Sequence, residues 1–233
     1  LVGSEMCIRD RIKGLGKAKY ILKPGGTLGD LYTNSDLVYN DDGYIEVDKN
    51  GNVAVKDDYM DDIYLGSVFP KYNLAWRNDF NYKGINLGVL FTARIGGICY
   101  SATQANMDLY GVSEASAAAR DAGGVMINGR DMIDAQKWYQ VIGSQSGLPQ
   151  YYTYSATNVR LQELSLGYTL PSKWFRDKMR MTVSFVGRNL WMIYCKAPFD
   201  PEAVASTGLS YQGIDYFMMP SLRSLGFNVK FEF

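Results

Sequence analysis

From Tyr72 to Tyr82 every second residue is large and apolar except Asn78: Tyr72, Leu74, Trp76, Phe80 and Tyr82, with Asn73, Ala75, Arg77, Asp79 and Asn81 between them. After the turn pair Lys83-Gly84 the alternation resumes, with Ile85, Leu87, Val89, Phe91, Ala93 and Ile95 set against Asn86, Gly88, Leu90, Thr92, Arg94 and Gly96. Strands send alternate side chains to opposite faces. Lys71–Gly96 is therefore predicted to be an antiparallel hairpin with one apolar and one polar face. Each arm is about ten to twelve residues, longer than the ~5–6 usual in globular proteins and close to the ~9–11 of a tilted strand crossing a bilayer.

Three further segments repeat the pattern. In Asn158–Leu170, Leu164, Leu166, Tyr168 and Leu170 oppose Glu163, Ser165, Gly167 and Thr169. In Lys178–Leu190, Met181, Val183 and Phe185 oppose Arg180, Thr182, Ser184 and Arg188. In Arg223–Phe233, Leu225, Phe227, Val229, Phe231 and Phe233 alternate with polar residues and glycine without a miss. The connections alternate too. Lys83-Gly84 and Pro171–Asp177 are short; 97–157 and 191–222 are long. Long loops at one end of a sheet and short turns at the other are the asymmetry of outer-membrane barrels. The fold class is thus all-β, an antiparallel transmembrane β-barrel fragment. It is expected as an open curved sheet of about five to seven strands, with long extracellular loops carrying short helices. Tyr82, Trp174, Phe175 and Phe233 fall at the short-turn rim, and Tyr72, Tyr100, Trp191 and Tyr194 at the other, as two aromatic bands. A soluble β-sandwich that buries the same apolar rows in a core is the competing reading.

The connections carry weaker signals. Ser113–Ala122 is predicted as a helix capped by Ser113 and stopped by Gly123-Gly124, and Asp134–Ile142 as a second. Ala18–Leu22 reads as a short strand, and Asn50-Gly51 as the turn of a small hairpin between Tyr44–Val47 and Val53–Val55. The acids Asp41, Asp42, Asp48, Asp57, Asp58, Asp61 and Asp62 fit solvated turns better than calcium, because the spacing around Asp48 is not that of an EF-hand loop. Leu1–Arg11 differs from the rest and resembles a translated sequencing-adaptor remnant. It is set aside, leaving residues 12–233 as the C-terminal part of a barrel domain whose plug and earlier strands are missing.

Composition narrows the function classes. Lys+Arg and Asp+Glu both number 24, which argues against a nucleic-acid binder. There is no histidine, so Ser-His-Asp and Cys-His catalysis are absent. The three cysteines, Cys7, Cys99 and Cys195, have no motif spacing; Cys99 and Cys195 follow non-adjacent strands and read as buried or idle thiols rather than as a bridged pair. No catalytic residue, metal ligand or cofactor is expected. Asp200 and Glu202 are a weak candidate for a glycosidase carboxylate pair.

Four pieces of the chain resemble one family. Pro70-Lys71-Tyr72 with Asn78-Asp79-Phe80-Asn81-Tyr82-Lys83 resembles a late hairpin of SusC/RagA-type TonB-dependent transporters. Val159–Pro171, VRLQELSLGYTLP, is similar to that family's RL-x-x-L-x-L-G-Y-x-L-P strand. Gly187–Trp191 resembles its G-x-N-L segment, and Phe199-Asp200-Pro201-Glu202 its F-D-P-E loop. The resemblance implies part of an outer-membrane barrel that imports oligosaccharides or peptides with a SusD-like surface lipoprotein, powered by TonB through the missing N-terminal part. The alternative is a structural or adhesive surface β-domain.

The candidate site residues follow. The apolar row is expected to face outer-membrane lipid. Phe227, Val229, Phe231 and Phe233 are expected to signal insertion to the barrel-insertion machinery. On the inner face, Arg77, Asp79, Arg94, Glu163, Arg188 and Lys230 are expected to pair between strands rather than filter solutes. Trp138, Tyr151 and Tyr152 are candidates for solute or lid contact, with packing as the plainer alternative.

Overall fold

The structure, a computed structural model, describes residues 10–57, 62–175, 178–206, 208 and 211–232. In chain order the strands are β1 (Asp10–Leu15), β2 (Ala18–Leu22), β3 (Asp30–Thr33), β4 (Ser35–Leu37), β5 (Val55–Asp57), β6 (Ile63–Ser67), β7 (Tyr72–Tyr82), β8 (Ile85–Ile95) and β9 (Ile98–Ser101). Helices α1 (Ala102–Leu109) and α2 (Glu114–Asp121) follow, then β10 (Val125–Ile127), β11 (Asp131–Ile133) and α3 (Ala135–Ile142). The chain closes with β12 (Thr153–Ser155), β13 (Asn158–Thr169), β14 (Arg180–Cys195), β15 (Ile214–Asp215) and β16 (Ser224–Glu232). Two compact units share these elements. One is built from Leu1–Phe69, Ile98–Tyr154 and Val204–Met218, the other from Pro70–Gly97, Ser155–Ala203 and Met219–Phe233.

The second unit is one antiparallel sheet in the order β16-β14-β13-β8-β7. Lys83 (φ 49°) and Gly84 (φ 86°) both take positive φ, the requirement of a tight two-residue hairpin turn. Asn81 donates to Asn86 across it at 2.7 Å. A Cβ at position 84 would stand 2.9 Å from the Thr169 carbonyl oxygen, so the turn also needs glycine for space. Asn73, Arg94, Asn158 and Cys195 lie in register at one end of the sheet, where the long connections leave. The turn at Lys83-Gly84 and a 3-10 turn over Ser172–Phe175 close the other.

The first unit turns what read as loops into a folded body. Four strands pair in the order β1-β2-β3-β6, β4 pairs with β5, β10 with β11, and β12-β9-β15 form a small sheet in which β9 and β15 run parallel. Ala18, Tyr20, Leu31, Val68, Tyr100, Trp138, Leu148 and Ile214 belong to one buried core. Ser113 Oγ accepts from the Ser116 amide, so Ser113 caps α2 as the sequence predicts; Asp134, the first residue of the second predicted helix, caps α3 by accepting from the amides of Gln136 and Lys137. Asp10 and Arg11 pair with Leu22 and Ile21 in β1, although the sequence reading set them aside. The remainder of that leader, residues 1–9, lies outside the described residues. Tyr100 is not at a rim: it is 1% exposed, in the core of this unit.

Candidate functional site

The sheet is two-faced, and its register converts five separate alternations into transverse rows. Phe80, Leu87, Leu166, Phe185 and Phe227 line up across all five strands. Tyr82, Ile85, Tyr168, Val183 and Val229 form the next row. Trp76 stacks on Phe91 with ring centroids 5.6 Å apart. Phe80, Leu166, Phe185 and Phe227 are all at least half exposed. This apolar face is not the inside of a sandwich within its own unit.

On the opposite face the residues pair with one another. Asn86 donates to Thr169 at 2.9 Å, and the Thr169 and Thr182 hydroxyls lie 3.0 Å apart. Arg188 reaches Glu163 at 3.0 Å, Arg77 reaches Asp79 at 2.9 Å and Glu163 at 3.9 Å, and Lys230 contacts Glu232. Of these ion pairs Arg188–Glu163 joins neighbouring strands, Arg77–Asp79 and Lys230–Glu232 lie along a single strand, and Arg77–Glu163 reaches across β8.

At the end where the long connections leave, this face carries a buried cluster. The Arg160 side chain is 2% exposed. Its guanidinium donates to Asp200 at 2.9 Å, to Asn158 at 3.3 Å and to Asn189 at 3.4 Å, and lies 3.4 Å from Glu202. Asp200 also accepts from the Glu202 amide at 3.1 Å and from the Ser221 amide and hydroxyl at 3.2 and 2.5 Å. Burial works to raise the Asp200 carboxyl, but the bonds from Ser221, Glu202 and Arg160 outweigh it and hold it below its usual range. Asp200 and Glu202 therefore serve one arginine and are not poised as an acid and base pair. Beside them Asn73, Ala75, Thr92, Arg94 and Glu202 outline a hollow of about 230 Å³. Three motifs that are separate in sequence, around Arg160, Asn189 and Asp200, meet here. The only sequence signal of the meeting is a charge at position 160 in an apolar-rich strand.

The candidate solute contacts fare differently. Trp138 is 7% exposed and Tyr152 is 2% exposed, both in the core of the first unit. Tyr152 donates to Asp108 at 2.9 Å, and burial together with the Asp108 charge pushes its phenol up. Neither ring has a face to offer, so the plainer packing reading replaces the contact one. Tyr151 alone keeps an exposed ring, edge-on to Trp138 at 5.9 Å. Burial and nearby Tyr39 and Asp36 push its phenol up to about 12. A broader groove of about 870 Å³ in this unit runs past Tyr44, Asp48, Asn128 and Arg130. Its polar groups are engaged in turns: Asp48 accepts from the Asn50 and Asn52 amides, both at 2.8 Å. Among the described residues no cluster of acids has metal-ligand geometry. Phe227, Val229 and Phe231 lie on the exposed apolar face of β16, and Phe233 lies outside the described residues.

No family model matches the chain. The curated "TonB-dependent receptor P3" of Formosa agariphila is 24% identical over 198 residues, 81% of this chain and 19% of that protein. A solved structure of the RagAB peptide transporter superposes with a TM-score of 0.53 at 16% identity, covering 94% of this chain and 24% of its own. The RagAB peptide importer in its open-open state gives 0.54 at 12% identity, covering 97% and 28%. The chain has the fold of a SusC/RagA-type barrel segment. A SusC/RagA-type segment accounts for the all-β class, the antiparallel order and the alternation of long and short connections. The chain spans less than a third of the length of each of these relatives.

Proposed function

We propose that residues 12–233 are a C-terminal wall section of a TonB-dependent transporter in the outer membrane. The observation that carries this is the exposed apolar row Phe80–Leu87–Leu166–Phe185–Phe227, five strands wide and backed by a paired polar face. Lipid satisfies such a face, and a water-filled lumen satisfies the other. The solute is an oligosaccharide or a peptide, and the peptide-transporter neighbours favour the latter. A SusD-like lipoprotein covers the mouth, TonB acts through the part of the protein that precedes this segment, and lipid surrounds the wall. The row Phe227, Val229, Phe231 and Phe233 presents the last strand to the barrel-insertion machinery.

The test is expression of the complete gene in a Gram-negative host, followed by membrane fractionation and uptake of labelled peptides and oligosaccharides with and without TonB. A heat-modifiable outer-membrane species with TonB-dependent uptake is expected. Recovery as a soluble, heat-invariant protein overturns the reading. Deleting Phe233 should lower the yield of assembled barrel, and an unchanged yield removes its role as a signal.

A further inference from the structure

Alternation fixes which face of β16 points outward but leaves its register open. Leu225, Phe227, Val229 and Phe231 are a uniform row, and sliding the strand by two residues against β14 keeps all four on the same face. A tight turn fixes register for β7 and β8. No such turn exists between β14 and β16, which are joined by residues 196–223. Another feature has to place Ser184 opposite Asn228 rather than opposite Gly226 or Lys230.

The buried cluster supplies that feature. The β14–β16 ladder ends at Arg188 opposite Ser224. At the next residue, Asn189 takes φ +52°, where the β13–β14 register shifts between Leu161 and Glu163. Irregularities of this kind re-aim a side chain and end regular pairing. The Asn189 side-chain Nδ2 donates to the Ser221 carbonyl at 2.9 Å, holding the approach to the strand where the backbone ladder stops. Its Oδ1 accepts from Arg160. Asp200 holds Ser221 from the other side through the amide and the hydroxyl, and is itself held by Arg160. Ser221 is thus gripped at its carbonyl, amide and hydroxyl, three residues before β16 begins.

We infer that the Arg160–Asp200–Asn189 cluster selects the register in which the last strand joins the sheet, with Arg160 as the positioning residue. Its fork serves several acceptors at once, which a lysine ammonium cannot reproduce in the same geometry. The inference rests on the barrel reading only in that a slipped last strand spoils closure of the complete wall.

The test is made in the complete transporter with Cys7, Cys99 and Cys195 replaced by serine. Ser184→Cys with Asn228→Cys reports the native register, and Ser184→Cys with Gly226→Cys or Lys230→Cys reports slips. Asn86→Cys with Gly167→Cys, across β8 and β13, is the control. Arg160→Lys and Asp200→Asn should lower the native cross-link on the order of fivefold and raise the slipped ones, with the control unchanged. Ser221→Ala, an exposed change suited to the case where the buried variants fail to assemble, should act in the same direction more weakly. Unchanged cross-links in all variants, or loss of native and control cross-links together without slipped products, overturns the inference. Failure of the membrane reading shows separately, as soluble unsubstituted protein, and leaves the cross-link comparison intact.

Discussion

The two units bury apolar residues by opposite rules. In the first, Tyr20, Leu31, Val68, Tyr100, Leu148 and Ile214 are at most 1% exposed, gathered from segments far apart in the chain. In the second, Trp76, Phe80, Leu166, Phe185, Leu225 and Phe227 are at least half exposed, and the deepest side chains include Asn158 and Arg160. The first unit is built on the water plan, with oil inside. The second has its polar groups paired on one face and its aromatics turned out on the other, a stable arrangement only when the outer solvent is itself apolar. One chain can hold both because alternation is indifferent to which side is wet. The surroundings decide.

The largest expected effect tests the water plan. Trp138→Ala empties a core site in the first unit and should cost about 3–5 kcal/mol. Ile98–Tyr154 in the intact protein should become sensitive to protease while the sheet remains folded. Equal resistance before and after would mean that this unit has no core of its own. Next is the oil plan. Leu87→Arg, near the middle of the apolar row, should cost roughly 2–4 kcal/mol in reversible unfolding from a bilayer, whereas Asn86→Arg on the opposite face should cost much less. Equal costs on the two faces would abolish the difference between the units.

Acid sharpens the comparison at the buried Arg160–Asp200 cluster of the sheet. The Asp200 carboxyl sits below its ordinary 3.8, so the stability it supplies is present above that value and lost as pH falls through its lower folded value. Asp200→Asn should therefore flatten the acid limb of a stability–pH profile measured below about pH 4. Tyr152, buried in the first unit with its phenol pushed up, stays neutral across that window and contributes nothing to the limb.

What was legible in the sequence follows the same division. The hairpin arms β7 and β8, and the strands β13 and β16, carry four to six alternating apolar positions each, so their ends come within a residue or two of Lys71–Gly96, Asn158–Leu170 and Arg223–Phe233. β14 runs on to Cys195, past the predicted end at Leu190, because the irregularity at Asn189 breaks the period. The helix cap at Ser113 was legible because capping is local. The core of the first unit was not. β3, β4, β5 and β9 have three or four residues each, too few to show a period, and Tyr100 and Ile214 meet only through the parallel pairing of β9 with β15. The aromatics Trp138 and Tyr152 read equally well as surface platforms and as core, and only tertiary structure distinguishes the two. Arg160 was visible as a motif letter, but its partners Asn189 and Asp200 lie 29 and 40 residues away.

The smaller effects concern single contacts. Asp134→Ala removes two bonds at the start of α3 and should cost about 1 kcal/mol, read as faster amide exchange over Ala135–Ile142. A cap whose loss left exchange unchanged would mean that Trp138 and Ile142 hold the helix by packing alone.

The smallest expected effect lies on the polar face of the sheet. Glu163 pairs with Arg188 at 3.0 Å while the Arg188 side chain is 67% exposed, and Arg77, 56% exposed, stands 3.9 Å from the same carboxylate. Water and salt screen such pairs, so Glu163→Gln should change stability by no more than about 1 kcal/mol, and by less at high salt. If the face lines an aqueous lumen, that small, salt-sensitive cost is the expected reading. A cost of several kcal/mol, insensitive to salt, would mean that the ladder is desolvated in the assembled wall. The polar face would then be a packed interior, and the contrast between the two units would be one of degree.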